Sequence, residues 1–194
     1  RPLDAGAPLG HHAAMRERWA LGTMTGTSLD ALDVALVRAT GDGMSMRAQV
    51  EAHATHDLGT LRPRLRAAAE GGAMRADAFA ALALDFGALH ATVMRAMAAS
   101  RRIDVAAVHG QTIFHAPPVS WQLVNPWPVA QALGCPVASD LRGADLALGG
   151  QGAPITPLAD WILFRSEAPR AVVNLGGFCN ITCLPGSADG PDRI

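Results

Sequence analysis

The sequence predicts an α/β fold with a mixed sheet flanked by helices. Three observations carry that expectation: an opening meander of apolar runs separated by turns, one long stretch with apolar residues at helical spacing, and a later alternation of short strand-like and helix-like segments. Trp19 to Met24 reads as a strand, "TGTS" as a tight turn and Leu32 to Val37 as the returning strand. "GDGMS" marks another turn, and "MRAQVEAHA" supplies a third antiparallel strand. An alanine-rich helical region follows and breaks at Glu70 to Gly72. Phe79, Leu82, Phe86, Leu89, Val93 and Met97 recur at helical spacing. Asp77 to Ser100 is therefore expected to be an amphipathic helix with its stripe in the core and His90 at the boundary.

"IDVAAVHGQT" reads as a buried strand running into a loop, and "SWQLVN" as another strand. Pro126 and Pro128 open a short helix that ends near Gly134. "CPVASDL" is a further strand and "GGQGAP" a glycine-rich turn. Thr156 to Phe164 looks helical, and "RAVVNLGGFCNITCLP" reads as two strands around a Gly-Gly turn. Residues 1–18 read as a flexible leader, in which His11 and His12 are solvated neighbours rather than a metal pair.

With 194 residues, 49% of them hydrophobic, the chain can fill one sizeable core, or one domain and part of another. A formal charge of −1 argues against nucleic acid, whose phosphates call for a basic surface. No uninterrupted apolar run approaches a membrane span of about 20 residues. The three cysteines, Cys135, Cys179 and Cys183, lack C-x-x-C spacing and fit a reducing compartment as buried, inert thiols.

Four segments could carry chemistry. In "TGTSLDALD", Gly26 lets the backbone approach an anion, and Thr25, Thr27 and Ser28 offer hydroxyls beside backbone N–H groups. The segment has no lysine and no Walker pattern, so a hydrated Mg²⁺ held by Asp30, with Asp33 nearby, would supply the positive charge a phosphate needs. A capped hairpin with an Asx-type turn is the structural alternative. "HGQT" follows an apolar strand, where α/β folds present ligand-contacting groups, so His109 and Gln111 suit a polar ligand such as a sugar; a structural histidine is the alternative. In "SDLRGADLALGGQGAP", Arg142 could clamp an anion or pair with Asp140 or Asp145, and Asp145 could order a ligand hydroxyl. "NLGGFCNIT" is a second glycine hairpin, and two such hairpins on opposing lobes would suit a nucleotide clasped between them.

"GTMTGTSLDALDVALV", "HGQTI", "QLVNP", "SDLRGADLALGGQGAP" and "AVVNLGGFCNIT" occur in that order between Leu21 and Thr182. Together they resemble the anhydro-N-acetylmuramic acid kinase family of bacterial cell-wall recycling, within the sugar kinase and actin-like ATPase superfamily. The resemblance implies an actin-like (ribonuclease-H-like) lobe over residues 19–152. Residues 153–194 would then hold a connecting helix and the opening hairpin of a second, truncated lobe. It implies ATP and Mg²⁺ as cofactors, an anhydro sugar as substrate, a cytoplasmic enzyme, and a homodimer as an option. Gly26, Thr27, Ser28, Leu29, Asp30, Ala31, Leu32 and Asp33 correspond to the family's ATP-phosphate motif, with Asp30 toward the metal. His109, Gln111, Arg142 and Asp145 fall in motifs assigned to the sugar side. Four positions depart from the family pattern: Ala31 for a glycine, Thr25 for a serine, Phe114 for a basic residue and Val124 for a glycine. The family's general-base aspartate would lie beyond Ile194, leaving no catalytic residue to assign here. The alternatives are a non-catalytic sugar- or nucleotide-binding fragment and another ATPase of the same superfamily.

Overall fold

The structure, a computed structural model, describes residues 17–175, 179–190 and 194. Most of the leader, with His11 and His12, and the Gly176–Gly177 turn therefore lie outside the described residues. Strands β1 (Arg18–Thr25), β2 (Leu32–Thr40) and β3 (Arg47–His56) form the expected antiparallel meander. Its register follows from apolar alternation: Leu21 pairs with Leu36, Thr23 with Val34 and Thr25 with Leu32, which puts one face of each strand inward. The chain then passes through α1 (Leu61–Ala69) and α2 (Ala76–Ala98) to β4 (Val105–Val108), which lies parallel to β1. The hairpin of β5 (Gln111–Ala116) and β6 (Val119–Leu123) and helix α3 (Trp127–Leu133) lead to β7 (Val137–Ala138), parallel to β4. The main sheet thus runs β3-β2-β1-β4-β7, a mixed sheet.

The core fills the space between one sheet face and the first helices. Leu82, Phe86, Val93 and Met94 of α2 are buried against Leu21, Val34 and Leu36, while Phe79, Leu89 and Met97 pack at its edge. Each fully buried side chain of this size contributes about 1.5–3 kcal/mol of transfer free energy. Gly87 lets the chain entering α3 come close: a Cβ there would collide with the Asn125 carbonyl, and Asn125 N–H donates to Ala83 O at 3.0 Å. By length and composition α2 reaches the dimensions of a membrane span, which a search for uninterrupted apolar runs misses. In the fold its apolar stripe faces the sheet, and Asp85 on its other side pairs with Arg64 of α1 at 2.7 Å.

His90 is a correction. It is fully buried, not at the boundary, because Thr23 points into the core from β1 and its hydroxyl sits 2.7 Å from His90 Nδ1. Burial, followed by repulsion from His109, pushes the imidazole down to about 3, so it stays neutral. The cysteines are a second correction. Cys179 and Cys183 are exposed and Cys135 is half-buried. The thiols of β9 (Cys179–Leu184) face outward because β8 (Arg170–Leu175) and β9 form a sheet of only two strands. Val173 and Ile181 on that face are likewise exposed. "CPVASDL" shrinks to the two residues of β7, "HGQT" starts a strand at Gln111, and α4 (Gly143–Ala147) appears where periodicity was too short to show a helix. Helix α5 (Pro157–Phe164) connects to the second sheet, with Thr182 donating to Asp160 at 2.9 Å and Arg165 donating to the Met46 carbonyl at 2.7 Å.

Stability should fall as pH drops. A histidine whose folded pKa lies below its unfolded value stabilises the fold fully above 6.5 and loses that contribution between 6.5 and about 3. The expected slope is about 1.4 kcal/mol per pH unit over that window. The double variant Thr23→Val/His90→Leu should flatten the dependence of Tm on pH between about 6.5 and 5, above the carboxylate range. An unchanged slope by calorimetry would place the acid sensitivity elsewhere. Phe86→Ala should cost about 3–5 kcal/mol in urea unfolding.

Candidate functional site

Strands β1, β4 and β7 are mutually parallel, so their carboxyl ends open on one edge of the sheet. The turn at Gly26, the corner at His109 and the segment reaching Arg142 follow those three ends directly. They border a cleft of about 520 Å³, closed on its far side by Ala153 to Thr156 and by Asn174 and Asn180 of β8 and β9.

The turn is built from both polarities of its sequence. Leu29 N–H donates to Gly26 O at 3.1 Å, closing a tight turn. Leu29 takes a φ of 57°, a costly conformation for a branched residue, and is held there by burial of its side chain. Leu32 is fully buried as well. These two leucines pin the turn to the core and leave Gly26, Thr27 and Ser28 facing the cleft. A Cβ at Gly26 would meet only Ser28 Oγ, at 3.6 Å, so the glycine leaves open approach to the backbone. Sequence reasoning missed two cations beside this turn: Arg62 of α1 donates to Asp30 O at 2.6 Å and Arg66 to Ser28 O at 3.4 Å. Helix α1 thus puts positive charge next to a segment that has no lysine of its own. No pattern within "TGTSLDALD" could reveal arginines more than thirty residues away.

Asp30 is exposed beside the turn, outside the residues lining the cleft. Asp33 is exposed on the sheet's other face, where it accepts from Thr55 at 2.7 Å and lies 3.4 Å from His53 Nε2. Among the described residues no three His, Cys, Asp or Glu side chains gather as a metal cluster. A Mg²⁺ bound through phosphates and water needs only one or two carboxylates, and Asp30 is an exposed carboxylate beside the turn.

The opposite wall holds the remaining predicted residues. His109 Nδ1 lies 2.9 Å from Gly110 O and Nε2 lies 3.0 Å from Arg142 Nη2. Burial lowers the His109 pKa, opposed by the Gly110 contact and reinforced by Arg142, so the ring is held neutral. Arg142 also donates to the Gly152 carbonyl at 2.7 Å, and burial lowers its pKa. Gln111, 2% exposed, donates to Thr112 O at 3.2 Å and keeps Oε1 without a partner. Thr25 Oγ1 and Arg142 Nε are buried and unpartnered too. Three orphaned polar atoms on residues lining one cleft are what a polar ligand would satisfy. Asp145 stands apart. Its carboxylate accepts the Gly152 N–H at 2.7 Å, and a Cβ at Gly150 would collide with it, so Asp145 and the glycines together shape the "GGQGAP" turn. Arg142 pairs with neither Asp140 nor Asp145. Thr112, Thr156, Asn174 and Asn180 join the lining, and of these only Thr156 stood outside the motifs that pointed to a ligand.

The class is therefore an α/β domain with a polar cleft at the carboxyl ends of its parallel strands. The sequence model of the anhydro-N-acetylmuramic acid kinase family matches residues 18–190, and the chain belongs to that family. Relatives bearing the name anhydro-N-acetylmuramic acid kinase include one from Synechococcus sp. (strain CC9902), 39% identical over 89% of this chain and 47% of its own length. Another, from Synechococcus sp. (strain CC9311), is 37% identical over 90% of this chain and 48% of its own. One from Salinibacter ruber is 34% identical over 91% and 49%. The chain spans about half the length of the curated relatives it matches.

Asp145→Ala should free the Gly152 amide and lower stability by about 1–2 kcal/mol in urea unfolding. A fully stable Asp145→Ala protein would show that the carboxylate does not hold this turn.

Proposed function

We propose that the protein to which this chain belongs is an ATP-dependent kinase acting on 1,6-anhydro-N-acetylmuramic acid. It would open the anhydro ring and phosphorylate O6 to give N-acetylmuramate 6-phosphate in cytoplasmic cell-wall recycling. The single observation behind this reading is the cleft itself. A hydroxyl-rich tight turn flanked by arginines faces a wall of His109, Gln111 and Arg142 with unsatisfied polar atoms, in a chain of this family. The sheet order, with three antiparallel strands followed by two parallel ones, supports an actin-like, ribonuclease-H-like lobe over residues 19–152. The residues from 153 onward would begin the second.

In this reading Gly26, Thr27 and Ser28 bind nucleotide phosphate through hydroxyls and backbone N–H groups, and Thr25 Oγ1 faces the same ligand. Leu29 and Leu32 keep the turn in place, and Ala31 spaces the buried leucines. Asp30 would hold Mg²⁺, which when bound neutralises charge on the phosphates. Arg142 and Gln111 would contact the sugar side and orient its O6 toward the phosphoryl group. Water would attack the anomeric carbon. Chemistry of this kind depends on positioning and charge neutralisation more than on covalent help from the protein. Asp145, which accepts the Gly152 N–H, would shape the turn that borders the sugar side.

A second reading applies to these 194 residues in isolation, as a binding unit without turnover, because they span half the relatives' length. One assay separates the two: ADP release driven by 1,6-anhydro-N-acetylmuramic acid, comparing this chain with a full-length protein. Sugar phosphate from the full-length protein is expected; its absence with any anhydro sugar rejects the kinase reading, and turnover by the isolated chain rejects the second. In the full-length protein Asp30→Asn should lower kcat/KM for Mg-ATP roughly tenfold or more while leaving the melting profile intact. Unchanged turnover at limiting Mg²⁺ would make Asp30 structural.

A further inference from the structure

Among the described residues lining the polar cleft, Arg142 contributes the only ionised side chain, and none of them is a carboxylate. Its guanidinium is held by two neutral acceptors, His109 Nε2 at 3.0 Å and the Gly152 carbonyl at 2.7 Å. Among the described residues it forms no ion pair, although Asp140 and Asp145 flank it in sequence. Asp145 is turned away onto the Gly152 amide, and Asp140 sits against Gly143. A partly buried arginine is ordinarily matched by a carboxylate, since its desolvation is otherwise uncompensated. Here it is oriented without being neutralised, and Nε remains buried with no partner.

His109 makes this possible. With Nδ1–H donating to Gly110 O, Nε2 carries the lone pair that accepts from Arg142. Both ring nitrogens are engaged, so the imidazole has no group left for a ligand. We infer that His109 is a positioning residue that holds Arg142 as an uncompensated cation in the cleft, and that Arg142 recognises an anionic group of the ligand. A carboxylate in place of His109 would fix the same geometry and cancel the charge. The anion is a carboxylate on the sugar or a phosphate of the nucleotide, both planar or forked acceptors that suit a guanidinium. Which substrate carries it rests on the kinase reading; the anion site itself does not.

Two substitutions separate positioning from contact. The Gln side chain can place an oxygen near the Nε2 position, whereas Asn reaches only as far as Nδ1. In the full-length protein, Arg142→Ala and His109→Asn should each raise KM about tenfold for one substrate, with kcat changed less. The double variant should be no worse than Arg142→Ala, and His109→Gln should recover most of the loss. A rise in KM for the anhydro sugar, absent with a neutral analogue lacking the carboxylate, assigns the anion to the sugar. A rise in KM for ATP assigns it to the nucleotide. Additive effects in the double variant, or His109→Asn behaving as wild type, would overturn the inference. Should His109→Asn fail to fold, Arg142→Lys serves instead: the charge stays, the fork is lost, and wild-type KM values would refute the lock. A readout independent of turnover is the Arg142 Nε–H resonance of the full-length protein titrated with sodium phosphate and with sodium lactate. It should shift with at least one anion in wild type and His109→Gln, and with neither in His109→Asn. No shift in wild type rejects the anion site; a shift without any kinase turnover rejects the kinase reading alone.

Discussion

The cleft depends on the parallel pairing of β1 with β4, and within it on Thr23. The Thr23 carbonyl accepts the His109 N–H at 3.1 Å, which fixes where the chain leaves β4 relative to the end of β1. Two residues further on, β1 enters the turn whose Gly26, Thr27 and Ser28 face the cleft. The Thr23 side chain points the other way, to His90 at 2.7 Å inside the core. One residue thereby ties the helix layer, the sheet and both sides of the cleft mouth together. Buried polar contacts of this kind are favourable only when both partners are in place, so the pair fixes register more than it adds net stability.

The cleft is electrostatically asymmetric. Positive charge reaches it from Arg142 within, and reaches the back of the turn from Arg62 and Arg66 of α1. Arg62 is paired with Asp57 at 2.8 Å, whereas the acids nearest Arg142 and those of the turn motif are engaged elsewhere or stand outside the cleft. Asp145 holds a glycine turn, Asp33 lies on the opposite face of the sheet, and Asp30 remains at the rim. Neutral acceptors orient Arg142, the one cation among the described lining residues, and burial keeps the imidazole beside it uncharged. Such a surface has its field free for an incoming anion.

Much of this was legible in the chain. The meander, the long helix and the proline-opened short helix ending at Gly134 all follow from periods of two and 3.6 and from turn chemistry. Gly26 to Ser28, His109, Gln111 and Arg142 stood out in the sequence through a glycine with hydroxyls, polar groups after an apolar strand and a base beside a glycine turn, and the fold brings all of them to the lining of one cleft. Leu29 and Leu32 belonged to the same motif but serve it from the core side. Reading "TGTSLDALD" as wholly phosphate-facing overlooked that alternate residues of a turn must anchor it. Exposure of Cys179 and Cys183 went unread because an apolar alternation in a strand says which residues share a face, not whether anything covers that face.

By itself, then, the sequence determined most of the elements, the order of the motifs and the membership of the family, because local propensity, periodicity and motif spacing are properties of near neighbours. Only the tertiary structure decided that Arg142 leans on His109 instead of an adjacent aspartate, that Asp145 supports a turn, and that α1 brings its arginines to the turn after β1. Partner choice among polar side chains is settled by distances of about 3 Å between atoms tens of residues apart, and no local pattern encodes which of several available partners the packing will present.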